Sequence, residues 1–429
     1  MSNTPVASSV ESKTPRFFYG YVIVLAAFTV MAVVAAGFNS FSVFLKPIVA
    51  DFGFTRAMAS GAYSLCMLAY GILSIVTGRL TDRFGSRILV TAGGFSFGLG
   101  YVLISQMSSL WQLYVLYGVL IGFGMSCGFV PMTSTVAKWF VKRRGVMTGI
   151  VTSGVGAGFM IGPFVSSNLM LSYGWRNTYF VIGIISLILL VLASQFLRRD
   201  PRQKDQLPYG HNNTEQDGLI LEDRGFFLPE AIVTKQFWLL CIMFTIAGFI
   251  MLSIVVHVVA NATDMGISTI AAANILTVFG GANIAGRIGI GHISDRIGSK
   301  RSFLIGFSLL LVSSILLYIA RELWMFYILA VVFGLGIGGF VAMQPLSVAE
   351  SFGLKSHGLI LGILQVGFTT GGAIGPVIAG YLFDISGNYY LFFTACAALA
   401  IIALTAGLAL RKQSYGKFYR EPLSSDSEI

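Results

Sequence analysis

The decapeptide GRLTDRFGSR occupies residues 78–87, and the related decapeptide GHISDRIGSK occupies residues 291–300. Both fit the pattern G-x-x-x-D-R-x-G-S-[RK], in which an acid stands beside several cations. Each copy follows an apolar run long enough to cross a membrane. A motif doubled at equivalent places predicts a chain of two related halves, each containing the same pair of helices around the motif.

The composition around the two motifs predicts a membrane protein. Of the 429 residues, 55% are hydrophobic and 11% are charged, and the mean hydropathy is +0.80. A spanning helix needs about 20 apolar residues, and twelve such runs can be placed. The runs are continuous rather than alternating, so we expect helices and not a β-barrel. The predicted spans are 19–44, 57–77, 88–107, 111–136, 146–170, 177–197, 236–261, 270–292, 302–320, 324–348, 357–382 and 390–410.

A polar stretch divides these spans into six and six. It begins RRDPRQKDQLPYGHNNTEQDG at residue 198, and its composition predicts a flexible linker. We therefore expect an all-α membrane protein of two pseudo-symmetric six-helix bundles. The predicted segments are a tail at 1–18, a bundle at 19–197, a linker at 198–235, a bundle at 236–410 and a tail at 411–429.

The net charge of +10 is explained by topology rather than by nucleic-acid binding. Most of the 28 Lys and Arg residues fall in the tails and in loops on one side, which predicts that both termini are cytoplasmic. The opposite side carries Lys46, Arg56, Arg176 and Arg321. The chain is therefore expected to cross the plasma membrane, a cell inner membrane, several times.

The four cysteines lie in apolar runs without metal-ligand spacing, so we expect neither a metal nor a cofactor.

One cation lies in a predicted span rather than on either side of the membrane. Arg287 lies inside helix 8, where a charged side chain costs about 2.5–3.5 kcal/mol and usually serves function. Asn283, four residues earlier, lies on the same helical face. We expect Arg287 to face the path of a small organic anion, because a guanidinium holds a carboxylate through two parallel N–H donors. Another face has the spacing that lets a neighbouring helix approach closely, and it carries Gly281, Ala285 and Gly289.

The doubled motif and the two halves resemble the major facilitator superfamily over nearly the whole chain. The resemblance implies a substrate site near mid-membrane between the halves. It also implies that the two motifs form a latch that steadies the outward-facing state, although tight turns with topology-setting charges remain the alternative. The implied latch residues are Asp82, Arg83, Arg87, Asp295, Arg296 and Arg144.

A narrower resemblance rests on KWFVKRRGVMTG at 138–149, on the glycine-rich run after it, and on YGWR at 173–176. These residues are similar to the monocarboxylate transporter family and, more loosely, to bacterial oxalate/formate antiporters. In that family the helix-8 Arg and its polar partner form the substrate and proton element. Two positions depart from the family pattern, since Asn39 stands where animal members carry Lys and Asn283 where Asp is frequent. Both changes remove a titratable group.

These observations predict a secondary active transporter of small monocarboxylates, lactate- or pyruvate-like, coupled to protons by symport. One embedded cation balances one negative charge, and helix 11 adds no Lys between residues 358 and 383. An oxalate/formate-type organic anion exchanger stays open, as does a non-transporting membrane receptor. We expect no enzyme, because no Walker loop or HExxH motif is present. The expected partners are the anion, the proton and the lipid bilayer, with no nucleic acid and a monomeric protein.

Further polar residues inside the spans are candidates for the same site. They could hydrogen-bond the substrate or tie helices together. The expected substrate-binding set is Arg287, Asn283, Asn39, Gln365 and Gln344, and the expected proton-coupling pair is His257 and Asp264. Solvated positions are expected for His211, His292 and His357, and core or interfacial positions for Tyr63, Tyr70 and Tyr117.

Overall fold

The computed structural model describes residues 17–53, 56–210 and 225–410, and ten helices in these ranges are long and apolar enough to span a membrane. Two of them, Arg144–Phe196 and Thr269–Ile319, have 53 and 51 residues. At 1.5 Å per residue they would measure about 80 Å and 75 Å, far beyond the roughly 30 Å of a bilayer core. Each is broken at a glycine with positive φ, Gly174 at 73° and Gly298 at 82°. Each therefore supplies two spans, and the described residues contain the twelve predicted.

We label these spans α1 to α12 in chain order. The span α4 combines the α-helical turn Leu110–Leu113, a π-helix at Tyr114–Ile121 and the α-helices Gly122–Ser126 and Phe129–Trp139. The bounds are α1 Gly20–Phe52, α2 Arg56–Phe84, α3 Ser86–Ile104, α4 Leu110–Trp139, α5 144–173, α6 175–196, α7 Lys235–Asp264, α8 269–297, α9 299–319, α10 Leu323–Phe352, α11 His357–Ser386 and α12 Tyr390–Ala409.

The two motifs are more helical than the sequence predicts. Helix α2 continues to Phe84, and α8 continues to the glycine break at 298, so Asp82 and Asp295 lie on the last helical turns rather than in loops. Only Gly85 and Gly298, both with a φ of 82°, make the turn into the next span. That conformation favours glycine, which explains why this glycine recurs in both copies.

Buried apolar side chains form two clusters, one in α1–α6 and one centred on α7–α12. Within the first half, α5 packs directly on α1, since a Cβ added at Gly158 would lie 2.5 Å from the Ala32 carbonyl oxygen. Within the second half, α11 packs on α7 in the same way, since a Cβ at Gly371 would lie 2.0 Å from the Thr245 oxygen. The glycine-rich runs thus permit equivalent close packing in both halves.

The prediction that the small-residue face of α8 packs closely against a neighbouring helix is wrong. Gly281, Ala285 and Gly289 are exposed, and a Cβ added at either glycine meets nothing within 4 Å. Because Asn283 and Arg287 face the centre of the protein, this stripe lies on the helix's outer side. The neighbour α10 packs instead on Gly286, where a Cβ would lie 2.5 Å from the Leu335 oxygen.

Residues 198–210 of the linker contact the first bundle. A 3₁₀ helix covers Pro201–Lys204, and the Tyr209 backbone donates to the Trp139 carbonyl at 2.9 Å. The flexibility of the linker stays a prediction. A further helix, Leu228–Ile232, precedes α7. The predictions for residues 1–16, 211–224 and 411–429, His211 included, lie outside the described residues.

Candidate substrate site

A cavity of about 290 Å³ lies between the two halves. Four spans of each half line it, namely α1, α2, α4 and α5 and then α7, α8, α10 and α11. The lining begins near mid-span and continues toward the face opposite the two motifs. Its polar side chains are Asn39, Tyr63, Tyr70, Arg287, Gln344, Gln365 and Thr369.

Arg287 reaches this cavity while being only 3% exposed. Its Nε donates to the Asn283 Oδ1 at 2.7 Å, one helical turn earlier, and its Nη1 donates to the Thr152 carbonyl of α5 at 2.7 Å. Arginine has five N–H donors, so three remain beyond these two described bonds. The guanidinium is thus oriented from both halves and keeps donors for a ligand.

Asn283 does two things for this cation. The bond from Arg287 requires an oxygen acceptor, which fixes the orientation of the Asn283 amide. The other end of the amide, Nδ2, is buried and has no partner among the described residues. A buried donor without a partner is costly. The Asn283 amide thus leaves one unpaired N–H group beside the guanidinium. An Asp at this position would balance the charge, whereas Asn leaves the site cationic.

The other predicted substrate residues also meet here. Gln344 and Gln365 line the cavity at 1% and 4% exposure. Gln344 Nε2 and Gln365 Oε1 are buried without a partner in the part of the chain that the structure describes. Asn39 lines the cavity from α1 and donates to the Ala35 carbonyl at 2.7 Å. Four predicted residues thus line one cavity, and Asn283 supports it from behind Arg287.

The predicted proton-coupling residues lie elsewhere. His257 contacts the Tyr389 hydroxyl through Nδ1 at 3.1 Å and donates from Nε2 to the Pro376 carbonyl at 3.0 Å. Asp264 is exposed at the end of α7. Neither residue lines the cavity, so a direct proton exchange with a ligand at Arg287 has no support from their positions.

Sequence reasoning placed Tyr63 and Tyr70 in the core or at the interface, yet both line the cavity. With Met67 they repeat at i, i+4 and i+7 on α2, and this spacing marked one helical face. Tyr63 stacks on Phe38 with ring centroids 4.5 Å apart. The Thr152 carbonyl was not predictable, because a backbone acceptor leaves no signal in residue type.

We call the face bearing Asp82 and Asp295 the basic face, since most cations in the sequence fall on this side. There the Asp82 carboxylate accepts from the Gly358 and Leu359 amides at 3.1 and 3.0 Å. The Asp295 carboxylate accepts from the Gly145 and Val146 amides at 2.7 and 3.1 Å. Each acid therefore caps the first turn of a helix in the other half, where amides lack helical partners and the dipole favours an anion.

The first glycine of each motif explains how the halves come so close. A Cβ at Gly78 would lie 2.2 Å from the Gly358 carbonyl oxygen, and a Cβ at Gly291 would lie 2.6 Å from the Gly145 oxygen. Beyond them, a Cβ at Gly149 would lie 2.3 Å from the Arg287 carbonyl oxygen. The halves are thus closed against each other from the basic face to mid-span, and the cavity begins beyond this contact.

The described side-chain hydrogen bonds of two predicted latch arginines lie within their own half. Arg87 donates from Nη2 to Gln195 Oε1 at 2.6 Å, and Arg144 donates from Nε to the Phe140 carbonyl at 2.8 Å. The Arg83 guanidinium lies over Phe84, 5.1 Å from the ring centroid, and Arg296 is exposed. The described hydrogen bonds that join the halves at the motifs run from backbone amides to the two acids.

His357 is the clearest wrong prediction, because it is fully buried rather than solvated. Its Nε2 donates to the Pro345 carbonyl at 2.8 Å, and its Nδ1 lies 2.9 Å from the Ser134 hydroxyl of the first half. With the proton on Nε2, a neutral ring accepts from Ser134 through Nδ1. His292 is exposed, as predicted.

The comparison with known proteins decides the family. The Major Facilitator Superfamily model matches residues 27–259 and 238–422. The chain belongs to the major facilitator superfamily. It is therefore a transporter rather than an enzyme, and a multi-pass membrane protein.

Curated relatives confirm the narrower resemblance. Monocarboxylate transporter 13 of Rattus norvegicus is 28% identical over 91% of this chain and 89% of its own length. Monocarboxylate transporter 2 of Homo sapiens is 24% identical over 90% and 84%. The uncharacterized MFS-type transporter YhjX of Escherichia coli is 27% identical over 72% and 75%.

A solved structure confirms the fold. The major facilitator transporter FucP, crystallised in the outward conformation, superposes with a TM-score of 0.69 over 91% of this chain and 99% of its own. Its sequence is 14% identical, so this likeness concerns the fold alone.

Proposed function

We propose that the protein carries small monocarboxylates across the membrane, with Arg287 as the group that binds the carboxylate. The observation that carries this proposal is a buried guanidinium at a central cavity, held from both halves and keeping three N–H donors. The relatives named monocarboxylate transporters support the same substrate class. Arg binds carboxylates in a bidentate way and stays charged at any cellular pH.

Charge balance favours one negative charge on the substrate. Among the described residues that line the cavity, Arg287 is the one with a fixed charge. A single carboxylate neutralises it. The second carboxylate of a dicarboxylate would be buried without a cation, which is costly in a site of low dielectric.

Transport would proceed by rocking of the two halves about this cavity, as in the superfamily. The bond from Arg287 to Thr152 and the two Asp contacts all join the halves on one side of the cavity. Breaking them would open the basic face, and closing the opposite face would complete the exchange of access. If both termini are cytoplasmic, as the charge bias predicts, the present conformation is the outward-facing one.

The coupling mode has two candidates. Proton symport follows the family resemblance and would have to use groups outside the cavity lining, such as His257 or Asp264. Anion exchange is favoured by the charge of the site, because Asn39 and Asn283 cannot take up protons at physiological pH. An empty carrier would then reorient with an unbalanced buried cation, whereas a loaded carrier would be neutral.

The test is uptake into proteoliposomes of labelled lactate, pyruvate, acetate, formate and oxalate at two external pH values. We expect Arg287→Ala to lower monocarboxylate uptake at least about 30-fold, because truncating one partner of a buried charge pair costs about 2–5 kcal/mol. Arg287→Lys should fall between, since it keeps the charge but loses the bidentate geometry. Arg301→Ala, at an exposed position, is the control.

The same vesicles separate the two coupling modes. Exchange requires unlabelled anion inside the vesicle, whereas symport responds directly to an imposed pH gradient. Normal uptake by Arg287→Ala would overturn the proposed site. Preferred uptake of oxalate would overturn the charge argument.

A further inference from the structure

The cavity wall is far more apolar than a lactate-sized anion requires. Its lining includes five phenylalanines and four methionines beside the few polar groups around Arg287. Lactate and pyruvate are short and each has a single methyl group as its apolar part, so they would leave most of this wall in contact with water. Apolar surface that a ligand can cover is a source of binding free energy.

Apolar side chains continue the cavity lining beyond Arg287 along the membrane normal. Phe279 lies on α8 eight residues before Arg287, about 12 Å along the helix toward the face opposite the basic face. Phe159 lies on α5 seven residues beyond Thr152, about 10 Å in the same direction. Both line the cavity, as do Leu252 and Val256 of α7. An anion seated with its carboxylate on Arg287 would therefore extend its body between aromatic and aliphatic side chains.

The volume agrees with this arrangement. Lactate and pyruvate each have only six non-hydrogen atoms. The cavity measures about 290 Å³, near the lower bound of roughly 300 Å³ for sites that enclose much larger ligands. The described methionines, Met67 and Met251 among them, can adjust their shape to different bodies.

We infer that the preferred substrates are monocarboxylates with a sizeable apolar body, branched-chain or aromatic, rather than lactate-sized anions. This inference rests on the proposed function and specifies its substrate class. The carboxylate binds at Arg287 near mid-span, and the apolar body fills the space bounded by Phe159 and Phe279. Hydroxylated acids of similar size are disfavoured, because Phe159 and Phe279 offer their hydroxyl groups no hydrogen bonds.

The experiment compares one head group with bodies of increasing size. Uptake of labelled pyruvate, 4-methyl-2-oxopentanoate and phenylpyruvate is measured in proteoliposomes, with gluconate and 2-oxoglutarate as competitors. We expect the KM to fall at least tenfold from pyruvate to phenylpyruvate, and gluconate and 2-oxoglutarate to compete weakly. An equal or higher KM for the two larger 2-oxo acids would overturn the inference.

A pair of substitutions on α5 tests the location. Val155 lines the cavity between Thr152 and Phe159, whereas Val165 is exposed on the same helix and does not line it. Val155→Phe should raise the KM for phenylpyruvate at least tenfold and change that for pyruvate less than threefold. Val165→Phe should change neither. If the two variants have the same effect, or if Val155→Phe affects both substrates equally, the body does not bind here.

A second variant tests the same location if Val155→Phe fails to fold. Phe159 is 41% exposed, so Phe159→Ala should keep the fold while weakening phenylpyruvate binding more than pyruvate binding. Equal weakening would overturn the assigned wall.

Arg287→Ala separates the two proposals. If pyruvate is carried in an Arg287-dependent way and phenylpyruvate is not bound, the inference fails and the proposed function stands. If no carboxylate depends on Arg287, the proposed function fails.

Discussion

The two motif regions of the basic face use the same chemistry in different surroundings. In each, an Asp at the end of one helix accepts two backbone amides from the start of a helix in the other half. The sequences that supply the amides correspond as well, His357-Gly358-Leu359 on α11 and Arg144-Gly145-Val146 on α5. We call these contacts the first seal, made by Asp82, and the second seal, made by Asp295.

The seals differ in how far water reaches them. Asp82 is half-buried, and Lys138 and Arg199 are close enough to act on its charge. Asp295 is exposed. The corresponding neighbours also differ, because buried His357 bonds to Ser134 across the halves, whereas the described bond of Arg144 goes to Phe140 of its own half.

This comparison teaches that a sequence repeat keeps the element that joins the halves but not the solvation around it. Hydrogen bonds to a charged group strengthen as water is excluded. We therefore expect the first seal to hold the halves together more strongly than the second. We also expect the α5–α8 contact to separate before the α2–α11 contact when the basic face opens.

The largest effect should come from the glycines that let the seals close. Gly78→Ala would put a methyl group 2.2 Å from the Gly358 carbonyl oxygen, and Gly291→Ala would put one 2.6 Å from the Gly145 oxygen. Neither backbone can yield locally, so both variants should prevent closure of the basic face and lower uptake more than tenfold. Gly289→Ala, with nothing within 4 Å, is the matched control. Uptake within twofold of wild type for Gly78→Ala would contradict the close approach.

A smaller effect should come from the two acids, and it tests the asymmetry directly. Asp→Asn keeps one oxygen acceptor and removes the charge. For Asp82 we expect a loss of about 2 kcal/mol from the closed state, a shift of about 30-fold in the ratio of closed to open basic face. For exposed Asp295 we expect a shift of about fivefold or less. The readout is the distance distribution between spin labels at exposed positions 142 and 301, one in each half.

The same measurement can contradict the comparison. If Asp295→Asn shifts the label distances as much as Asp82→Asn does, the two seals have equal strength and solvation does not distinguish them. If neither variant shifts them, the carboxylates set topology alone.

The sequence predicted the fold, and it predicted most of the polar side chains that line the candidate site, because both depend on residue type. Twelve apolar runs and a doubled motif need no knowledge of packing. Arg287 was identifiable because a charge inside a span has few alternatives to a functional cavity. Gln344 and Gln365 followed from the same cost of burying polar groups. Asn283 followed from helical spacing alone.

The features that the sequence did not predict depend on which helix surfaces pack against each other in the folded protein. His357 follows the α10–α11 loop, and only the tertiary contact with α4 shows that it is buried. The small stripe of α8 fits a packing face by spacing, yet which side of a helix meets lipid is decided by the placement of Arg287. The amides that bind Asp82 and Asp295 are backbone groups present at every residue, so their role cannot be read from sequence. The aromatic side chains that line the cavity could not be predicted, because the chain has 35 phenylalanines and residue type does not show which of them face the cavity.

Another small effect concerns the described bond between His357 and Ser134, beside the first seal. Ser134→Ala removes the hydroxyl that bonds to His357 Nδ1 and leaves a buried acceptor unpaired, which costs about 1 kcal/mol and should shift the closed-to-open ratio about fivefold. Ser347→Ala is the matched control, because Ser347 is also buried but its described bond goes to Gln344 of its own helix. Spin-label distances between positions 142 and 301 should change for the first variant and not for the second. If both variants behave alike, the His357–Ser134 bond adds nothing to closure, and the greater strength of the first seal must come from the burial of Asp82 alone.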